Sequence, residues 1–302
     1  MVALLPRVVA VGHASTGNLR WRVGEVTVER VEARTVAVPH GSIATGITPE
    51  VVDEHRPWID PFVTDDGRVV LSIHSFVIHG DGRTIVVDTC VGDHGARPLP
   101  TDPDFGATLA ASIDGGLGAV DVVLCTHLHF DHVGWNTRRD DVGTLVPTFP
   151  NARYLVTRAE LDALGAEDHH GVGPVSVDPL VAAGRLTVVE PDARLTDHVR
   201  LVPTPGHSPG HVSVLLESAG ASALITGDIV HSPLQFVEPD ITADRFDADP
   251  EAAIATRRRV IDLVAGTGTI VLGTHFPPPT SGRVDHTADG TTFVPLTSGD
   301  QP

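Results

Sequence analysis

Cysteine is nearly missing. The 302-residue chain has two, Cys90 and Cys125, and each ends an apolar run, so buried free thiols in a reducing compartment are expected rather than a disulfide. Basic residues are also scarce, 21 Lys and Arg against 39 Asp and Glu, for a formal charge of −18 and a sequence pI near 5.2. Such a surface repels polyanions, so neither nucleic acid nor an anionic membrane is expected as a partner. No apolar run reaches the roughly 20 residues that span a bilayer. The N-terminal run is broken by Pro6 and Arg7 with no charged segment before it, so no export signal is read there, and a cytoplasmic protein is the expectation. Tyrosine and methionine occur once each, whereas histidine occurs 17 times.

The histidines concentrate in Thr126-His127-Leu128-His129-Phe130-Asp131-His132-Val133-Gly134, directly after the apolar run Val122-Val123-Leu124. A short buried strand ending in a tight loop would aim all of these side chains at one point. His127 and His129 alternate with Leu128, so extended backbone turns both imidazoles to one side. Neutral imidazole nitrogens and a hard carboxylate oxygen suit zinc and its neighbours. Asp131 and His132 follow on a turn, placed to hold a second ion.

Around this motif the pattern alternates strands with helices. Residues 1–20 show no sustained period and read as a loose arm ahead of a single domain over 21–302. Strands are expected at Glu25–Val38, Val69–His79 and Thr84–Asp88, the last two joined by an Asp81-Gly82 hairpin turn. Further strands are expected at Val120–Cys125, Ala152–Val156, Leu186–Val189, Val199–Val202, Val212–Leu216, Ala221–Thr226 and Thr269–Leu272. Phe105–Ile113 reads as a short helix. Thr157-Arg158-Ala159-Glu160 fits a capping box that starts a helix running to about Leu164. Asp249-Pro250-Glu251 opens another, with Ile254, Ile261 and Val264 on one face and Gly266 closing it. Residues 165–179 read as an exposed excursion, and the tail after Pro277 as loop. Two sheets packed together with helices outside, an α/β arrangement, is the expected architecture.

Three later residues repeat the context of the motif, each following a short apolar strand at a glycine-bearing turn: His207, Asp228 and His275. Strand ends converging on one edge assemble sites from distant sequence. With these residues the chain resembles the metallo-β-lactamase-fold hydrolase superfamily, whose hallmark is HxHxDH followed by a distant His, Asp and His. The resemblance implies an αββα sandwich of two mixed sheets packed face to face. It implies that His127, His129 and His207 hold one zinc, that Asp131, His132 and His275 hold a second, and that Asp228 bridges them; Mn, Fe or Co are alternatives to Zn. Asp88 matches the family's structural acid beneath the metal loop. Two such ions share a water and lower its pKa, and Asp131 is the family's proton carrier for the nucleophile and leaving group.

Within the superfamily, His129 disfavours the diiron oxygen reductases, which carry Glu there, and the charge of −18 disfavours the RNA-processing branch. Thr204-Pro205-Gly206-His207-Ser208-Pro209-Gly210-His211 resembles quorum-quenching lactonases and the methyl parathion hydrolase branch, and Gly227-Asp228-Ile229-Val230-His231 with Leu234-Gln235-Phe236 resembles the second more closely. The lactonases commonly carry Tyr where this chain has His231, which is read either as a donor to a substrate carbonyl or as a residue facing solvent or supporting a ligand. His211 is read as structural. Trp58 and Phe62 either line a pocket or pin a loop, and Phe236 joins them as a candidate for substrate choice. The expectation is a dinuclear zinc hydrolase of a small ester, a lactone first, with a phosphotriester or aryl ester as the alternative. A mononuclear iron persulfide dioxygenase is the alternative from another class. The resemblance also suggests a homodimer.

Overall fold

Alternating apolar residues give a strand one face for a core, and the runs read as strands do form them. The computed structural model describes residues 9–10, 19–56, 58–92, 103–168, 170–288 and 290–296. In chain order the strands are β1 (Val9–Ala10), β2 (Arg20–Val23), β3 (Val26–Val38), β4 (Val69–Gly80), β5 (Arg83–Val87), β6 (Val122–Leu124), β7 (Thr137–Arg139), β8 (Leu145–Pro147), β9 (Arg153–Thr157), β10 (Leu186–Val189), β11 (Val199–Pro203), β12 (Val212–Ser218), β13 (Ala221–Ile225), β14 (Ile270–Leu272), β15 (Ser281–Thr287) and β16 (Gly290–Pro295). The α-helices are α1 (Pro49–Glu54), α2 (Phe105–Ser112), α3 (Phe130–Val133), α4 (Arg158–Ala166), α5 (Asp178–Ala182), α6 (Leu234–Val237) and α7 (Pro250–Val264).

The first sheet runs β1-β3-β4-β5-β6-β9-β10 with β2 beside β3, and the second runs β11-β12-β13-β14-β15-β16. Both are mixed: β5, β6, β9 and β10 pair in parallel, as do β13 and β14, and the remaining pairs are antiparallel. Val28, Phe76, Ile85 and Leu124 from one sheet meet Leu201, Val214, Ala223 and Leu272 from the other in a shared core. The outer face of the first sheet packs on Phe105 and Leu109 of α2 and Leu180 of α5. That of the second packs on Val260, Ile261 and Val264 of α7 and on Phe236 of α6. Four layers result, helix, sheet, sheet, helix. At the β4–β5 turn Asp81 and Gly82 both have positive φ, 53° and 66°, the mirror-image turn that matches strand twist.

Two local readings change, and a third falls mostly outside the described residues. The segment after Pro277 is not loop: β15 and β16 pair antiparallel and close the second sheet. Their buried apolar side chains reduce to Val284 and Phe293 amid Thr, Asp, His and Arg, too sparse an alternation to read as strands. The stretch 165–179 is not wholly exposed. It makes a π-turn, Gly173–Val177, that buries Val172 and Val177 against Leu128 and Val133 under the motif. The loose arm over 1–20 lies mostly outside the described residues, and within it Val9–Ala10 pairs with β3.

The parallel pairings place the site. β5 and β6 run side by side, with Val87 opposite Leu124, so Asp88 and Thr126 leave the first sheet together. In the second sheet Ile225 lies opposite Leu272, so the loops to Asp228 and His275 also emerge together.

Candidate metal centre

Asp228 Oδ2 lies at the middle of the converging loops. The Nε2 atoms of His275, His132, His231, His207 and His127 lie 3.0, 3.2, 3.3, 3.7 and 3.9 Å from it. His129 comes in through Nδ1, 2.9 Å from His207 Nε2. Asp131 stands at the rim, 3.8 Å from both His132 and His275. Ligand atoms fall into overlapping groups within 4.8 Å of one another: His127, His129 and His207; His127, His132 and Asp228; Asp131, His132 and His275; and His207, Asp228 and His231. All seven side chains expected as ligands are thus brought together, and His231 joins them.

Each supporting bond fixes a tautomer. Asp88 accepts from Thr126 N and from Thr126 Oγ1, both at 2.8 Å. The Thr126 hydroxyl hydrogen is thereby used, so its oxygen accepts from His127 Nδ1 at 3.1 Å. His132 Nδ1 donates to Asp88 at 2.9 Å, His207 Nδ1 to Asp247 at 3.1 Å, and His275 Nδ1 to the Ser72 carbonyl at 2.9 Å. Four imidazoles therefore present Nε2 to the cluster, the arrangement of metal-binding histidines. His211 does the reverse. Its Nε2 accepts from Asp228 N at 2.8 Å, so Nδ1 carries the hydrogen toward Thr204 Oγ1. It is structural, and Gly227 is required beside it because a Cβ there would fall 2.4 Å from that Nε2.

The electrostatics divide the cluster. Burial, with help from neighbouring imidazoles, holds His127 and His207 well below the ordinary histidine pKa; it lowers His129 to about 4 and His211 to about 3. For His132 burial pulls the same way, but Asp228, Asp88 and Asp131 outweigh it and raise the pKa well above the ordinary value. His275 is raised too, Asp228 overcoming burial. Burial alone would raise Asp228, yet His132, His275 and His231 hold it well below the usual carboxylate range.

The donor set fits divalent metal. Among the described residues His127 Nε2, His132 Nε2 and Asp228 Oδ1 are buried with no hydrogen-bond partner, and an orphaned buried polar atom costs on the order of 1–3 kcal/mol. Imidazole nitrogens with carboxylate oxygens are what zinc and neighbouring ions take up.

Several supporting residues go unannounced in the sequence. Glu160 is not a capping-box residue. Thr157 Oγ1 donates to Gly210 O instead of capping α4, and Glu160 accepts from Leu128 N at 3.0 Å, Gly210 N at 2.8 Å and Ser208 Oγ. It joins the 126–134 loop to the 204–211 loop, whose buried donors need an acceptor more than a solvated helix end does. Asp247 beneath His207 and Ser72 beneath His275 carry no pattern at all. The aromatic candidates resolve as core: Phe62 meets Phe276 and Phe293 at 5.7 and 5.9 Å, Trp58 meets Phe293 at 6.0 Å, and Phe236 stacks on Phe293. Phe62 and Phe236 sit in the core on the second sheet's outer face and Trp58 packs half-buried against it, and among the described residues none makes a ring contact with a histidine of the cluster. His231 does: it is buried, stacks on His275 at 5.6 Å and 4°, and faces Phe246.

A family profile described as the metallo-beta-lactamase superfamily matches residues 68–275. The chain belongs to this superfamily. Among curated relatives, the N-acyl homoserine lactonase AiiA of Bacillus thuringiensis subsp. kurstaki is 28% identical over 248 residues, covering 81% of this chain and 91% of that protein. An N-acyl homoserine lactonase of Bacillus cereus matches at the same identity and coverage. Among solved structures, the hydrolase AbOPH of the beta lactamase superfamily superposes with a TM-score of 0.76 at 23% identity, over 94% of this chain and 99% of that one. AidC, a dizinc quorum-quenching lactonase, gives 0.73 at 20% identity, over 93% and 98%. The superfamily fold and a metal-dependent hydrolase follow.

Proposed function

We propose that the protein is a dinuclear zinc hydrolase that opens a small lactone. The observation that carries the reading is the ring of imidazole nitrogens around Asp228 Oδ2, with its buried orphaned atoms. The four overlapping donor groups favour two ions over one, which weighs against a single-iron persulfide dioxygenase. His127, His129 and His207 would hold the first, Asp131, His132 and His275 the second, with Asp228 between. Two such cations supply a nucleophilic water at neutral pH and Lewis acidity toward a carbonyl.

The chain's own residues do the rest. Neutral His127, His129 and His207 are already in their ligating form. Asp131, at the partly exposed rim, takes the proton of the attacking water and returns it to the leaving alkoxide. His231 supplies an N–H where a carbonyl oxygen gains charge. The lactonase relatives support the lactone; an aryl ester or phosphotriester is the alternative that His231 leaves open. The same reading takes residues 21–302 as one domain, for which the core shared by both sheets speaks, acting as a cytoplasmic enzyme and a homodimer. Among the described residues no helix is long and apolar enough to cross a membrane.

The test is a zinc-loaded assay across acyl-homoserine lactones, simple lactones, aryl esters and phosphotriesters, with metal analysis. About two zinc per chain and lactone turnover with kcat/KM at or above roughly 10⁴ M⁻¹s⁻¹ are expected. His129→Ala and Asp228→Ala should lose metal and turnover together. One iron per chain with oxygen consumption, or no turnover on any panel member, overturns the reading.

A further inference from the structure

Asp247 and Arg257 lie outside the ligand set, yet both are buried to within 1% of full side-chain burial. Asp247 Oδ1 accepts from His207 Nδ1 at 3.1 Å, and Oδ2 accepts from Ala243 N at 2.9 Å. Arg257, on the inner face of α7, comes to 4.0 Å from Oδ2, an ion pair without a hydrogen bond. Its Nε donates to the carbonyl of Ile229, the residue after Asp228, at 3.0 Å. Its Nη1 donates to the carbonyls of Pro239 and Ile241 at 2.6 and 2.9 Å. The next residues continue the attachment: Ala248 N donates to His207 O and Asp249 N to Gly206 O, while Asp249 caps α7. Metal loop, Asp228 loop and helix thus meet at one buried carboxylate–guanidinium pair.

We infer that Asp247 is a positioning residue for the first metal, holding His207 with Nδ1–H inward and Nε2 toward the ion, and that Arg257 fixes Asp247 to the loop carrying the bridging Asp228. The inference rests on the metal-centre reading above. An anionic acceptor on the far nitrogen both selects the tautomer and makes the ligating nitrogen more basic, and losing such an acceptor costs 10–100-fold in metal affinity. A charge buried in α7 is costly unless it has such a task; Arg257 is the one charged residue on a buried helix face made otherwise of Ala253, Thr256, Val260, Ile261 and Val264.

Zinc is titrated into metal-free wild type, Asp247→Asn and Asp247→Ala against a chromophoric chelator, with melting temperatures of metal-free and zinc-loaded forms. The expected result is a zinc affinity for one of the two ions reduced roughly 10–100-fold in Asp247→Ala and less in Asp247→Asn, whose oxygen still accepts. The second ion should bind as in wild type, and the stabilisation gained on adding zinc should shrink. Equal melting losses with and without zinc and unchanged affinity for both ions would show a merely structural role and overturn the inference. If Asp247→Ala does not fold, Asp247→Asn decides it: wild-type affinity for both ions in that variant overturns it. A wild type that takes up no zinc instead sinks the metal-centre reading.

Discussion

His231 shows how much one side chain decides. Its ring lies parallel to His275 and its Nε2 is 3.3 Å from Asp228 Oδ2, so distance alone would make it an eighth candidate ligand. Its other nitrogen argues otherwise. His127, His132, His207 and His275 each donate Nδ1–H to a fixed acceptor, whereas His231 Nδ1 is buried with no partner among the described residues. A ligating imidazole normally has such an acceptor behind it. His231 is held through its backbone instead, its N–H donating to Gln235 Oε1 at 2.7 Å. His231→Phe should therefore keep about two zinc per chain while kcat/KM falls by about 10²-fold, the scale of one lost oxyanion donor. Zinc stoichiometry beside steady-state kinetics checks this. Lost zinc would make His231 a ligand, and unchanged kinetics would leave it without a catalytic part.

At the scale of elements, the site is two loop systems from two sheets, and Glu160 of α4 is the fastening between them. Replacing it by Ala orphans the N–H groups of Leu128 and Gly210 and the hydroxyl of Ser208, at a cost of about 3 kcal/mol. For a chain of this size that lowers the melting temperature by roughly 5 °C, measurable by calorimetry on the metal-free protein. A shift under a degree would mean the loops are held elsewhere. The same element shows what was legible in the sequence. Strand ends carrying His127, His207, Asp228 and His275 could be read because a short apolar run before a glycine turn is local. The helix at Arg158 could be read too, but the partners of Glu160 are up to 50 residues away, and no local pattern distinguishes them from a helix cap. Asp247 and Ser72 escaped for the same reason. Gly134 is another case: a Cβ there would fall 1.9 Å from Val91 O, a close approach between chain segments that only the folded structure reveals. β15 and β16 escaped differently, because an edge hairpin with few apolar side chains takes its stability from pairing to β14 rather than from its own alternation.

Over the whole molecule the candidate metal centre is a proton store coupled to folding. In the metal-free protein His132 and His275 have raised pKa values, so they contribute stability that is fully present below the unfolded value near 6.5 and is lost as pH rises through their folded values. His129 at about 4 and His211 at about 3 act in the opposite sense, as do His127 and His207. These must stay neutral in the fold, so stability falls as pH drops from about 6.5 toward 3. Metal-free protein is squeezed from both sides and should melt highest near pH 6.5. Added zinc should remove the alkaline limb, because the cation would take over the charge that the protons on His132 and His275 supply. Binding at pH 7 should then release roughly one to two protons per chain, and zinc affinity should rise with pH. Melting curves from pH 4 to 9 with and without zinc test the first statement, and calorimetric titrations in buffers of different ionisation enthalpy test the second. A metal-free melting temperature that keeps climbing above pH 8, or zinc binding without proton release, would mean that these two histidines are not the protonated pair, and that Asp228 is balanced by some other charge.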